Sequence, residues 1–474
     1  MGKLLSKLSL GCLIASYKDR TLPDFMIQAQ PPLEFIPPAF NPLVLRSAQM
    51  VLPFWMRSHT AITQIQADNV EVLVDLYRQF QDGKIRFLMA FRHPNAEDAL
   101  CMAHLMWKLV PLVAQQQGVS LQNPLHFHFI YDRGIPLWAG THMGWIYSRL
   151  GGTPIHRGKA DWLGLKSARD LFANAQFPMA AAPEGATNGH NEIISPLEPG
   201  ISQLGFWCVE DLLKAGRSEQ VLIVPVGIKY RYLEAPWKSL EKLLSELEAV
   251  SGLTAYAESA EPDVLNPHFL YKRLYRLGEH LLSLMEDFYT RFYHKNLPKN
   301  EALEARLQAL MDVALQVAEQ YFDLPPKGSV IDRCRRLEQA GWNHIYREEY
   351  KNIKALSPLE RALANRIADE ANSHIWHMRL VETFVAVTGK YVIEKPTVER
   401  FAETTLLLWD MVTRIKNSNP FERPRLGNQQ VEMTIGQPIS VSERYAVYQE
   451  NRHGAKLAVT HLTKDLQHAI ESLI

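Results

Sequence analysis

The hydrophobic positions of this chain change their spacing twice along its length. Between about residues 85 and 235, short apolar runs predict strands at IRFLMAF, LHFHFIY, FPMAAA and QVLIVPVGI. Amphipathic stretches between them predict helices, among them EDALCMAHLMWKLVPLVAQQQ, LKSARDLFAN and ISQLGFWCVEDLLKAG. Strands that alternate with helices are typical of sheets whose strands run mostly parallel. The pattern therefore predicts an α/β fold with a mixed, largely parallel sheet flanked by helices.

Beyond about residue 236, apolar residues recur at helical spacing instead. One series is Leu274, Leu277, Leu281, Met285, Phe288 and Phe292, and a second is Leu303, Leu307, Leu310, Ala314, Val317 and Tyr321. A further long helix is predicted to begin at Ser357, with Pro358 in its first turn and Glu360 at the capping-box position. We expect a mainly helical block in this part of the chain.

The period-two alternation returns near the end of the chain. QVEMTIGQPISV predicts a half-buried strand, and LTKDLQHAIESLI predicts a final helix. If both rejoin the first sheet, the helical block is an insertion. The expected division is an N-terminal arm with a candidate interfacial helix (1–60), an α/β core (61–235), a helical insertion (236–428) and a returning strand and helix of the core (429–474).

Composition narrows the class of function. The chain has 474 residues, of which 51 are Lys or Arg and 51 are Asp or Glu. This balance leaves no broad basic field, so nucleic acid is not an expected partner. Four cysteines without a CxxC pair favour a reducing compartment over a disulfide or zinc framework. No apolar run reaches the roughly 18 residues of a spanning helix, and together with the cysteine usage this favours a cytoplasmic protein.

The stretch AFRHPNAED carries the first candidate chemistry. His93 follows a predicted strand, and Pro94 restricts it to an extended backbone. A folded-back Asp98 could accept a proton from one imidazole nitrogen, leaving the other as a general base. Asn95 and Asp98 equally match an N-cap and an acidic partner three residues on. On this motif alone the structural interpretation is the better one.

Three further blocks follow at strand ends. GGTPIHRG is predicted to be a turn and a short strand that ends in Arg157, whose guanidinium could bind a phosphate with two hydrogen bonds. AAAPEGATNG places Glu184 and Gly185 after a small-residue strand, and Gly185 permits close backbone approach. VLIVPVGIKY carries Pro225 inside a buried strand, which suggests an edge, a bulge or the wall of a site.

In order and spacing, the four blocks HPNAED, GGTPIHR, PEGATN and IVPVGI resemble the glycerolipid acyltransferase family, which has an HxxxxD motif. The resemblance covers roughly residues 85–232. It implies that His93 is the general base and Asp98 its partner. It also implies that Arg157, Glu184 and Gly185 bind the acceptor, and that Pro225 shapes the acyl side.

The resemblance also implies the reactants. An acyl thioester, acyl-CoA or acyl-carrier protein, would be the donor, and a lysophospholipid or glycerol 3-phosphate would be the acceptor. Because the acyl chain is long and apolar, we also expect the protein to be peripheral to a membrane and to contact its surface. No metal or other cofactor is required. The family often has Thr or Ser and then Arg after Pro-Glu-Gly, whereas Ala186 and Thr187 stand here. A basic phosphate ligand would then have to come from elsewhere, with Lys159 or Arg92 as candidates.

Several alternatives stay open at this point. The stretch from Leu43 to Met56 is either an interfacial helix at a membrane or a helix packed on the core. His126 and His128 are expected to be packed or hydrogen-bonded rather than metal ligands, and KYRYLEAPW a solvated strand end. A non-catalytic lipid-binding or scaffold protein and a hydrolase are the competing functions. The absence of GxSxG disfavours a serine esterase.

Overall fold

A computed structural model describes residues 27–135, 139–156, 161–254, 266–384, 389–419 and 422–474, apart from the side chains of Thr141 and Lys354. Within these residues, eight strands form one sheet. They are β1 (Ile62–Asp68), β2 (Ile85–Phe91), β3 (His128–Asp132), β4 (Gly152–Ile155), β5 (Met179–Ala181), β6 (Gln220–Tyr232), β7 (Gln429–Ile435) and β8 (Ile439–Ser440).

The strands lie in the order β1-β7-β6-β2-β5-β3-β4, and β8 pairs with β6. The β1–β7, β2–β5, β2–β6, β3–β4 and β3–β5 pairs are parallel. The β6–β7 and β6–β8 pairs are antiparallel. The prediction of a mixed, largely parallel sheet flanked by helices is thus confirmed. The late strand β7 lies inside this sheet, between β1 and β6.

The helices also follow in chain order. The first are α1 (Pro42–His59), α2 (Val70–Gln81), α3 (Asp98–His104, continued by the π-helical turn Leu105–Leu109 and by Val110–Gln116), α4 (Thr141–Arg149), α5 (Trp162–Asn174) and α6 (Gly200–Lys214). Next are α7 (Trp237–Val250), α8 (Pro267–Tyr293), α9 (Leu303–Tyr321), α10 (Val330–Ile345), α11 (Pro358–Phe384), α12 (Tyr391–Glu394) and α13 (Val398–Ile415). The chain finishes with α14 (Tyr445–Glu450) and α15 (Arg452–Glu471).

The buried apolar side chains form three hydrophobic cores. One lies between the sheet and the α2–α3 side, and a second lies on the opposite face, against α5, α6 and α15. The third contains the buried residues of α7 to α13. Strand β2 is buried along its whole length because both faces of the sheet are covered. The end of β2 is therefore fixed from both sides.

The arm before α1 connects the α/β part to the helical block. The backbone N–H groups of Ile27 and Ala29 donate to the side chains of Asp369 and Asn365 in α11. Farther along, the N–H of Ala39 donates to the carbonyl of Ser148 at 2.9 Å. The arm thus binds to both parts of the molecule without forming a helix or a regular strand.

Candidate functional site

The candidate site lies where β2 ends at the carboxyl edge of the sheet. Residues Ala90 and Phe91 pair in register with Pro225 and Val226 of β6. The N–H of Arg92 continues this ladder by donating to the carbonyl of Val226 at 2.9 Å. His93 is thus the second residue after a fully buried strand, and its backbone position is set by the sheet.

His93 and Asp98 are in direct contact. The Nδ1 atom of His93 lies 3.0 Å from Oδ2 of Asp98. The Asp98 side chain is fully buried, whereas that of His93 is 24% exposed. A carboxylate can only accept a hydrogen bond, so Nδ1–H donates and the lone pair stays on Nε2. That nitrogen bonds to no residue in the described ranges, which leaves it available to act as a base.

The same carboxylate also closes the turn before α3. Oδ2 of Asp98 accepts a hydrogen bond from the N–H of Asn95 at 2.8 Å, and the Asp98 N–H donates to the Asn95 carbonyl at 3.2 Å. The catalytic and the helix-capping interpretations of HPNAED are therefore compatible. The helix-start turn is the device that holds Asp98 against His93.

Tyr230 is a site residue that the sequence reasoning missed. Its hydroxyl donates to Oδ1 of Asp98 at 2.5 Å. Burial, followed by the nearby Asp98 charge, raises the pKa of Tyr230 well above its usual value, so the group stays a donor. The expectation that KYRYLEAPW is a solvated strand end is wrong for Tyr230, which is 3% exposed. Its place on the inner face of β6 was the available signal.

Asn191 links Tyr230 to the helical block. Its side-chain oxygen accepts from the Tyr230 N–H at 2.8 Å, and its amide nitrogen donates to the Tyr230 carbonyl at 3.0 Å. The same amide donates to Oε1 of Glu403 in α13 at 2.6 Å, and Tyr391 donates to Oε2. Burial raises the pKa of Glu403 to about 7. The support of Asp98 therefore extends to α13.

Glu184 is an anchor beneath His93. Its Oε1 accepts from the backbone N–H of His93 at 2.8 Å, and its Oε2 accepts from the Ser195 N–H at 3.0 Å. The side chain has no exposed surface. Direct contact with an acceptor, which the sequence predicted, is therefore not available to Glu184 in this structure. It holds the histidine loop (residues 92–98) against the loop that carries Ser195.

The Arg92 side chain is also engaged in contacts within the protein. Its guanidinium donates to the carbonyls of Asn191 at 2.5 Å, His190 at 2.7 Å and Ile193, and lies 3.9 Å from Glu184. The residue is completely buried, and this burial lowers its pKa. The suggestion that Arg92 supplies charge to a bound phosphate is therefore wrong. Arg92 instead shapes the loop after the Pro-Glu-Gly turn.

The remaining predicted site residues are Gly185, Pro225 and Arg157, together with the candidate phosphate ligand Lys159. Gly185 has a φ of +75° in the turn after β5. Pro225 is buried in β6 on the face opposite Tyr230, and an added Cβ on Gly436 would lie 2.7 Å from its ring. Arg157 and Lys159 lie outside the described residues, just after β4 and His156. The roles predicted for Pro225 and Arg157 stay predictions.

His126 and His128 are packed as expected. His126 Nε2 lies 2.8 Å from the carbonyl of Leu150, and His128 Nδ1 lies 2.8 Å from that of Gly151. Burial lowers the pKa of His126 to about 4, which keeps the ring neutral. In the described part of the chain, no group of three or more His, Cys, Asp or Glu side chains could hold a metal ion.

Helix α1 has one face on the protein and one face open. Leu45 and Met56 are buried, whereas Leu43, Met50 and Phe54 are 68%, 67% and 78% exposed. Arg425 donates to the carbonyls of Ser58 and His59 at the end of this helix. None of the helices in the described ranges combines the length and the apolar character needed to cross a membrane.

Arg425 links the end of α1 electrostatically to Glu97. Burial raises the pKa of Glu97 to about 7, and the opposing influence comes from Arg425, the residue that binds the α1 carboxyl end. Glu97 directly precedes Asp98. The arginine that binds the end of α1 therefore acts electrostatically on the residue before Asp98.

Comparison with known proteins gave no match. No protein-family model, no curated protein and no solved structure matches this chain.

Proposed function

We propose that this protein is an acyltransferase. It moves a fatty acyl group from acyl-CoA or acyl-carrier protein to the hydroxyl of a glycerolipid-type acceptor, such as a lysophospholipid or glycerol 3-phosphate. The observation that carries this proposal is the His93–Asp98 contact of 3.0 Å, with Nε2 of the imidazole unbonded at the carboxyl edge of the sheet. The resemblance of the four sequence blocks to the glycerolipid acyltransferases supplies the substrate class.

The proposed reaction requires only proton transfer and an ester-forming attack. Nε2 of His93 takes the proton of the acceptor hydroxyl while its oxygen attacks the thioester carbonyl carbon. The carbon–sulfur bond then breaks, and the leaving sulfur takes the proton back from the imidazolium. The products are the ester and the free thiol. Asp98 stabilises the imidazolium through Nδ1 and fixes which nitrogen faces the acceptor.

The surroundings of Asp98 support this role. The carboxylate is buried and receives hydrogen bonds from Tyr230, Asn95 and His93. Such bonds hold the side chain in one position. Glu184 fixes the backbone of His93 in the same way. A base held in place needs less reorganisation when the acceptor arrives.

The proposal includes contact with a membrane surface, because both the acceptor and the acyl group are lipid-like. Leu43, Met50 and Phe54 project from one side of α1, with the arginines Arg46 and Arg57 among the exposed positions. The helix contains no acidic residue. An apolar face with basic flanks matches an anionic lipid interface. These features support the proposal that the protein works at the cytoplasmic side of a membrane.

The decisive experiment incubates the purified protein with radiolabelled palmitoyl-CoA or palmitoyl-acyl-carrier protein. The acceptor panel contains glycerol 3-phosphate, lysophosphatidate, another lysophospholipid and monoacylglycerol. We expect labelled ester with at least one acceptor, and at least a hundredfold less with His93→Ala. His104→Ala, which changes a histidine in α3, is the matched control and should keep the activity. Equal turnover by a folded His93→Ala protein would remove the proposed base.

The membrane contact has its own test. We expect sedimentation with vesicles of phosphatidylcholine and phosphatidylglycerol, and weaker sedimentation with phosphatidylcholine alone. Phe54→Ser combined with Leu43→Ser should reduce vesicle binding about tenfold, because each side chain loses part of its apolar burial. Leu112→Ser, which alters an exposed leucine of α3, is the control. Unchanged binding of the double variant would refute docking through α1.

A non-catalytic lipid-binding protein is the second candidate function. The observation that favours it is the uncharged turn after Pro-Glu-Gly, where Ala186 and Thr187 are exposed. The acceptor panel separates the two functions, because a scaffold binds lipid without forming product. Release of free fatty acid in place of ester would identify the hydrolase instead.

A further inference from the structure

Arg335 of the helical block reaches the Pro-Glu-Gly turn of the α/β part. A Cβ added to Gly185 would lie 3.1 Å from Nη2 of Arg335 and 1.8 Å from Oε1 of Glu198. These two side chains therefore occupy the space directly over the glycine. Any other residue at position 185 would collide with Glu198 and would also be strained at a φ of +75°. The glycine makes room for an arginine from another part of the chain.

The guanidinium of Arg335 is held in place and yet open to solvent. Its Nη2 pairs with Oε1 of Glu198, while the backbone N–H of Glu198 donates to the carbonyl of Pro183 at 2.8 Å. The side chains are 26% and 34% exposed. A guanidinium has five N–H donors in one plane, and a single carboxylate oxygen cannot use all of them. The remaining donors are available to an anion at the Pro-Glu-Gly turn.

The position of α10 is fixed by a second contact. The Trp342 ring lies 5.2 Å from that of His156, and it fills the space over Gly134, where a Cβ would come within 2.4 Å. Gly134 follows β3, and His156 follows β4. Since β3, β4 and β5 are parallel, α10 lies across their carboxyl ends. The helical block thereby forms one wall over the edge of the sheet that carries His93.

The phosphate of the proposed acceptor needs a cation near this edge. Arg92 is buried and bound to three backbone carbonyls, and Arg133 pairs with Asp161 with only 10% of its side chain exposed. The turn itself offers Ala186 and Thr187, which carry no charge. Arg335 is thus a partly exposed cation placed directly over Gly185, one residue from the Glu184 that anchors His93.

We propose that Arg335 binds the phosphate group of the acceptor, so that the helical block contributes a substrate ligand to the acyltransferase site. The kinetic consequence rests on the function proposed above. An arginine suits the role because its planar fork forms two parallel hydrogen bonds to phosphate oxygens. Selection of phosphorylated over neutral acceptors would then depend on a residue more than a hundred positions beyond the four sequence blocks.

The test compares the wild type with Arg335→Gln and Arg336→Gln in the complete chain. Arg336 is the matched control, since its guanidinium donates to the carbonyls of Pro325 and Lys327 inside the helical block. We expect Arg335→Gln to raise KM for glycerol 3-phosphate or lysophosphatidate roughly tenfold or more, as for loss of a charged hydrogen-bond partner. Its kcat and its activity toward monoacylglycerol should stay within about threefold, and Arg336→Gln should resemble the wild type.

Two results would overturn the role of Arg335. One is an unchanged KM for the phosphorylated acceptor in the Arg335→Gln protein. The other is an equal loss with the neutral acceptor, which would indicate a structural defect. If the wild type transfers no acyl group at all, the proposed function fails by itself. Calorimetric titration with inorganic phosphate then still tests the site, with roughly tenfold weaker binding expected for Arg335→Gln. Equal phosphate binding by both proteins would refute it.

Discussion

The helical block and the histidine loop both bury charged side chains, but they use them differently. In the helical block, one buried Arg–Glu pair joins each successive pair of helices, from α7 and α8 to α9 and α10. The pairs are Arg273–Glu248, Arg306–Glu286 and Arg333–Glu319, each at 2.7 Å. In the histidine loop, the buried Asp98 is paired with a partly exposed imidazole instead.

The difference shows how a structural charge can be distinguished from a functional one. In each of the three helical pairs, the guanidinium and the carboxylate are both almost completely buried. The further partners of these guanidiniums, Glu241, Ser283 and Asp312, lie on the same helix as the paired glutamate, so each interaction only joins two helices. At His93 the chain of hydrogen bonds runs from Tyr230 through Asp98 to an unbonded nitrogen near the surface. A buried carboxylate is therefore a candidate catalytic group where its partner still has an unbonded atom that can accept a proton.

The largest expected effect is that of Asp98→Asn on activity. An asparagine keeps the shape of the side chain but lacks the charge that stabilises the imidazolium. We expect kcat to fall about 10²–10⁴-fold with labelled acyl-CoA and the best acceptor. Thermal melting provides the control for folding. A variant that keeps more than a tenth of the activity would place the histidine loop with the purely structural pairs.

The next effect is on stability and comes from the helical block. Arg333→Met removes both hydrogen bonds from Arg333 to the buried Glu319 and leaves this carboxylate with Arg336 at 4.0 Å. The change should cost about 3–5 kcal/mol in the free energy of unfolding. The double variant Arg333→Met, Glu319→Leu should recover most of that loss, because an apolar pair can replace a buried ion pair. Chemical denaturation measures both variants. The kcat per folded molecule should change little. A large fall would contradict the distinction between structural and functional buried charges.

The smallest effect tests the link between Tyr230 and the carboxylate. Tyr230→Phe removes the donor to Oδ1 of Asp98, and a hydrogen bond to a charged group is worth about 1.5–3 kcal/mol. We expect kcat/KM to fall roughly tenfold or more. Tyr131→Phe is the control, because the hydroxyl of Tyr131 is buried but has no hydrogen-bond partner in the described structure. Equal kinetics of the two variants would show that Tyr230 only fills space.

Elements with local signals were predictable from the sequence. The mostly apolar run IRFLMAF coincides with β2, Ile85–Phe91, because the charged residues Lys84 and Arg92 flank it. The capping box at Ser357 is present: its N–H donates to Glu360 at 2.8 Å, and the Glu360 N–H donates back at 3.3 Å. In both cases the determining contacts lie within a few residues of one another.

Strand β1 had no such signal and was not predicted. Helix α2 was not predicted either, although its buried residues recur at helical spacing. The residues of β1, ITQIQAD, are half polar, and only Ile62 is buried. The strand exists because it pairs with β7, where Gln64 lies opposite Gln430 and Ala67 opposite Met433. A pairing partner so far along the chain leaves no mark on the local pattern of β1.

The candidate site was predictable in part for the same reason. The spacing of His93 and Asp98 is a local property of one turn, and their contact could be expected. The burial of Arg92 and Glu184 depends on the loop around His190 and Ser195, about 100 positions away from His93. Arginine and glutamate at strand ends match a ligand set as well as they match an anchor, so sequence alone could not distinguish these roles.

The position of β7 has a consequence for the biosynthesis of the protein. Thr63 in β1 donates to the carbonyl of Gln429 in β7, which lies 366 positions further on. At about 5–20 residues per second, a ribosome needs roughly 20–70 s to make that intervening chain. During this time β1 has no neighbour and β6 has an uncovered edge. We expect nascent chains that stop before residue 429 to recruit chaperones or to aggregate, even when their helical block is complete.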